Sequence, residues 1–112
     1  MSAVLHQLME VLELRKVNPP PNSYTARLYA GGVNKIASKI REEADELIEA
    51  ASEPGESGQR HVIYEASDVF YHLLVLLAHQ GIKLDDVESE IARRFGQSGL
   101  DEKASRPVAA AK

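Results

Sequence analysis

The sequence predicts an all-α fold, a bundle of four or five helices. Three observations carry this. Apolar residues recur at helical spacing through most of the 112 residues. No stretch alternates apolar and polar residues as a half-buried strand does. Aromatics make up only 5% of the chain, which suits Leu, Ile, Val and Ala packing between helices. The length fits one domain, expected over residues 1–106, with 107–112 a disordered tail. A domain this small buries only about two-thirds of its unfolded surface and gains from a partner.

The first helix is expected over 3–16, where Val4, Leu5, Leu8, Val11 and Leu12 share a face. "NPPPNS" at 18–23 ends it, because three prolines cannot continue a helix. Ser23 is placed to cap the next segment, "YTARLYA", and Gly31-Gly32 permits a bend. Residues 33–51 carry a stripe of Val33, Ile36, Ala37, Ile40, Ala44, Leu47, Ile48 and Ala51. "EPGESG" at 53–58 reads as a turn, and 60–79 as the most apolar helix, ended by Gly81. Residues 84–95 form a last amphipathic helix with acids in its first turn and arginines in its last.

Composition narrows the function classes. A net charge of -4 argues against general nucleic-acid binding. The absence of cysteine excludes disulfides, a thiolate zinc site and a cysteine nucleophile, and fits a reducing compartment. The N-terminal stretch carries His6, Glu10 and Glu13 among its apolar residues, unlike a signal peptide. "LLVLLA" at 73–78 is too short to span a bilayer. The expectation is a soluble cytoplasmic protein that binds neither nucleic acid nor membrane.

Two acidic stretches ask for an explanation: "EADE", Glu43 to Glu46, and "EASD", Glu65 to Asp68. Residues three apart lie close together on one helix face, where like charges repel. Glu43 and Glu46 flank the apolar stripe on the side of Lys39, while Glu42, Asp45 and Glu49 point to water. On the next helix His61, Glu65, Asp68, His72 and His79 fall on one narrow strip, opposite Ile63, Ala66, Phe70, Leu73, Leu74 and Leu77. That helix is apolar almost all round, so it is expected to be buried almost all round, with its polar strip facing protein or a cavity. The short turn makes the two helices antiparallel neighbours, and the acidic pairs lie seven residues before and after it. Buried carboxylates either become neutral or gather a cation. Glu43, Glu46, Glu65 and Asp68 are therefore expected to form a cage for a hard divalent ion: magnesium, manganese or calcium. A di-iron site of the bundle type is disfavoured, since no Glu has a His three residues later.

Other residues keep two readings. His72, one turn beyond Asp68, is either a satisfied core histidine or a hydrogen-bond partner of Asp68 or another ligating carboxylate. His61 and His79 read as surface residues. Lys35 and Lys39 either reach phosphate oxygens or pair with nearby acids. Arg93 and Arg94 either clamp an anion or complement a helix C-terminus.

"SYTARLYAGGVNKIASKIREEADELIEAA" followed by "EASDVFYHLLVLLAHQGIKLDDVESEIARRF" resembles phosphoribosyl-ATP pyrophosphohydrolase, one of the all-α MazG-type nucleoside triphosphate pyrophosphohydrolases. "SGLDEKASR" adds to the likeness, which runs from about Leu5 to Arg106. The resemblance implies magnesium ligation by Glu43, Glu46, Glu65 and Asp68, with manganese as the substitute. It also implies that Glu42 acts through a water, that Lys35 and Lys39 meet phosphates, and that Ser23, Tyr24 and Thr25 lead into the site. Arg41 departs from the small residue expected before the paired glutamates. The chain resembles the form without a fused cyclohydrolase domain, and homo-oligomers, dimers first, are implied.

The implied reaction splits phosphoribosyl-ATP into phosphoribosyl-AMP and pyrophosphate, the second step of histidine biosynthesis. Water attacks between the α and β phosphates, Glu42 or Glu46 takes its proton, and Lys39 meets the leaving pyrophosphate. Two alternatives stand beside it. One is a related pyrophosphohydrolase that clears dUTP, dCTP or non-standard nucleotides. The other is a non-catalytic helical interaction protein with solvated acids.

Overall fold

The structure is a computed structural model that describes residues 3–95. It is all-α among those residues: α1 Ala3–Val17, α2 Tyr24–Ala50, α3 Gly55–His79 and α4 Leu84–Phe95. The expected tail and "SGLDEKASR" lie outside the described residues. The helices fall into two units, α1–α3 ending at Ile82 and α4 beginning after it.

In the first unit α3 packs against both other helices, most extensively against α2. The core is Met9 and Leu12 of α1, Leu28, Ile36 and Ala50 of α2, and Leu74, Val75 and Ala78 of α3. Each fully buried Leu, Ile or Val contributes about 1.5–3 kcal/mol. Polar ties supplement them. The Tyr29 hydroxyl donates to the Leu12 carbonyl at 2.8 Å. Lys16 Nζ donates to the Ala78 and His79 carbonyls at 2.9 and 3.2 Å, placing a cation on the last carbonyls of α3.

The helix boundaries follow local chemistry. The Ser23 hydroxyl accepts from the Ala26 amide at 3.2 Å and caps α2 as expected. α3 ends in a Schellman arrangement: Gly81 has φ +72°, its amide donates to Ala78, and that of Ile82 to Leu77. Two expectations shift. The bend in α2 belongs to Gly32 alone, with φ 74° and ψ -168°. The turn after α2 is shorter than expected, because α3 already starts at Gly55 behind an extended Pro54.

α3 is not buried all round. Ile63 is 66% exposed and Phe70 48%, while Glu65 and His72 on the opposite side are buried. The reason is geometric: α3 turns its polar strip toward α2, and its apolar back then finds no neighbour in the three-helix unit. Val4 and Val11, counted on the inner face of α1, are likewise exposed. Over Gly55–Gln80 α3 meets the length and composition of a membrane span, with a best-window mean hydropathy of 1.2. Its buried glutamate and histidine and its packing on α2 make it the central helix of this unit.

Gly32 sits in a backbone region open essentially to glycine alone, so Gly32→Ala is expected to cost about 1–3 kcal/mol. Urea unfolding reads this, and unchanged stability would contradict the assignment of the bend to that residue.

Candidate active site

The site lies where the last third of α2 faces the middle of α3. Three carboxylates, from Glu43, Glu46 and Glu65, each present an oxygen such that all lie within 4.8 Å of one another. Glu43 is 8% exposed and Glu65 6%. One oxygen of each, Oε1 in both cases, is buried with no hydrogen-bond partner. Orphaned carboxylate oxygens at such depth are costly. Burial first, then the charge of Asp68, the close approach of the Glu65 carboxyl and the charge of Glu46, raises Glu43 from its ordinary 4.5 to about 7. Asp68 stands outside the triad that closes within 4.8 Å, yet its charge is the largest single influence on Glu43 after burial. Three of the four acids singled out from the sequence thus meet, with Asp68 close enough for its charge to act on Glu43. An all-oxygen donor set of this kind fits a hard divalent cation.

Around this centre the other expected residues take distinct places. Glu42 is exposed, and its Oε1 accepts from Lys39 Nζ at 3.0 Å. That bond, and beyond it Tyr24, Glu42 and Glu43, hold the Lys39 ammonium above its usual pKa, against some desolvation. Lys35, one turn earlier, is exposed, and its stem lies across Gly31, where any added Cβ would strike it.

Tyr24 and Thr25 anchor the part of α2 before the Gly32 bend. The Tyr24 hydroxyl is 2.8 Å from His72 Nε2, and His72 Nδ1 is 2.8 Å from the Asp68 carbonyl. A carbonyl only accepts, so Nδ1 carries the proton and Nε2 receives the phenol's hydrogen. His72 is thus a satisfied core histidine that touches the backbone of Asp68, not its carboxylate. Thr25 is buried, and its hydroxyl bonds that of Tyr71, so it braces the segment from behind. Tyr24 remains partly exposed beside Lys39, Glu42 and Glu43, and burial raises the pKa of its phenol.

Arg93 and Arg94 lie on α4 and both bind Glu90, Arg93 through two nitrogens at 3.2 and 2.7 Å and Arg94 at 2.8 Å. These bonds lower Glu90 to about 2. Both arginines belong to the second unit.

His61 is partly exposed, in keeping with the surface position expected for it, but sequence reasoning missed its partners: its Nδ1 lies 3.0 and 3.1 Å from the two Glu53 oxygens, and its Nε2 lies 3.1 Å from Glu65 Oε2. Both ring nitrogens face acceptors, and the Glu53 hydrogen bond above all raises its pKa. The signal was available: His61 and Glu65 are one helical turn apart.

A carboxyl raised from 4.5 to about 7 binds more protons folded than unfolded between those values. Its contribution is present below pH 4.5 and is lost as pH rises through about 7. Metal-free protein is expected to lose up to roughly 3 kcal/mol across that window through Glu43. Melting temperatures in chelator, wild type against Glu43→Gln, isolate the effect. Parallel pH profiles for the two proteins would contradict it.

Residues 5–95 match the family model described as phosphoribosyl-ATP pyrophosphohydrolase. The chain is 57% identical over 104 residues to the phosphoribosyl-ATP pyrophosphatase of Rhodopirellula baltica, covering 93% of this chain and 87% of the relative. It is 53% identical over 105 residues to that of Methylococcus capsulatus, covering 94% and 97%. With that of Dechloromonas aromatica it shares 48% over 104 residues, covering 92% and 93%. Acids converging on one buried point in an all-α unit, and likeness along nearly the whole chain, lead to one assignment: the chain belongs to the phosphoribosyl-ATP pyrophosphohydrolase family.

Proposed function

We propose that this chain hydrolyses phosphoribosyl-ATP to phosphoribosyl-AMP and pyrophosphate, the second step of histidine biosynthesis. The names of its relatives support the substrate. The observation that carries the chemistry is the pair of buried, unpartnered oxygens on Glu43 and Glu65 beside the Glu46 carboxylate.

Glu43, Glu46, Glu65 and Asp68 would hold magnesium, with manganese as the substitute; bound there, the ion neutralises phosphate oxygens of the substrate. Lys39 meets charge that grows on the departing pyrophosphate, and Lys35 extends the basic edge one turn further. Tyr24 borders the substrate space at the end of α2. As water forms its bond to phosphorus and the anhydride P–O bond breaks, the water's proton passes to a glutamate. Glu46 belongs to the converging set, which leaves Glu42, beside Lys39, as the acceptor the arrangement favours.

The assembly is read as a homo-oligomer, a dimer first, because Ile63, Phe70 and Leu73 of α3 and Val4, Val11 and Leu14 of α1 are exposed in the single chain. A cytoplasmic location is the reading that fits a biosynthetic reaction of this kind.

The test is magnesium-dependent pyrophosphate release from phosphoribosyl-ATP, with dUTP, dCTP and ATP as competitors for the assignment. Glu65→Gln and Asp68→Asn are expected to lower kcat/KM by about 100-fold or more. Wild-type rates in both variants, or faster turnover of dUTP, would reject the reading.

A further inference from the structure

We propose that His61, itself held by Glu53, is a positioning residue that aims the free oxygen of Glu65 into the carboxylate cluster. This rests on the cation-binding reading above and adds two residues to it.

The geometry divides the two oxygens of Glu65 between two tasks. Oε2 lies 3.1 Å from His61 Nε2, and Oε1 is buried without a partner. A carboxylate with one oxygen fixed by a donor can turn about its terminal torsion only by breaking that bond. The other oxygen is thereby held toward the space it shares with Glu43 and Glu46. His61 is fixed in turn, because its Nδ1 faces both oxygens of Glu53 at 3.0 and 3.1 Å. The chain Glu53–His61–Glu65 thus runs from the exposed turn to the buried cluster, with side-chain exposure falling from 45% through 39% to 8%.

The fold supplies the first link on purpose-fit backbone. Gly58 is buried in the first turns of α3, and a Cβ there would run into the Glu53 carbonyl oxygen. Glycine at that position lets the turn lie against α3 closely enough for Glu53 to reach His61. Partners that orient a metal-binding carboxylate typically set affinity by 10- to 100-fold when removed.

The test is calorimetric titration of manganese chloride into the intact protein without nucleotide. His61→Leu and Glu53→Ala are expected to weaken manganese binding by about 10- to 100-fold, and His61→Gln, which keeps a donor toward Glu65, by less. Glu56→Ala removes an equal charge from the first turn of α3, away from His61, and is expected to leave affinity within about twofold. Glu53 lies in an exposed turn, so its variant reports even where a change at 61 impairs folding. Wild-type affinity in His61→Leu and Glu53→Ala overturns this inference alone. Equal losses in Glu56→Ala and Glu53→Ala overturn it too, since net charge would then explain both. A wild-type protein that takes up no manganese overturns the cation reading itself, and this inference with it.

Discussion

The confrontation of four carboxylates across the α2–α3 contact is the constraint on which the site depends. Glu43 and Glu65 are buried, each with an oxygen that no protein group satisfies. A fold held mainly by Leu, Ile and Val burial tolerates this only if the cost is met by protonation or by a cation. The raised pKa of Glu43 expresses the first solution, and the convergence of donors prepares the second. The two are linked, because a cation arriving among the acids displaces the proton that relieved their repulsion.

Turning the polar strip of α3 inward has a structural consequence. The residues that would ordinarily seek the core, Ile63, Phe70 and Leu73, are left on the outside. Polar ties supplement the packing near the site: Tyr24 to His72 and Thr25 to Tyr71 fasten α3 to the part of α2 before the Gly32 bend, and Glu53 to His61 fastens it to the turn before Gly55.

Much of this was legible in the sequence. Three prolines, the Ser23 cap, the glycine at 81 and the period of the apolar residues placed every described helix. The spacing of Glu43, Glu46, Glu65 and Asp68 about one turn located the acids, because helix geometry and a short connection leave little freedom. What stayed hidden depended on helix rotation and on partners distant in sequence. The apolar character of α3 suggested burial on all sides, but periodicity does not say how many neighbours a helix has. The tie between Tyr24 and His72 spans 48 residues, and no spacing rule reaches that far. His61 is partly exposed, as its place near a helix start suggests, but its bond to Glu53 needs the close approach that Gly58 allows, which spacing alone does not show.

The central claim is that these acids share one cation. Anomalous scattering from crystals of the protein grown with manganese tests it directly. A single strong peak is predicted among Glu43, Glu46, Glu65 and Asp68, at about 2.0–2.3 Å from their oxygens. No peak there, with the four side chains turned apart into solvent, would contradict the account.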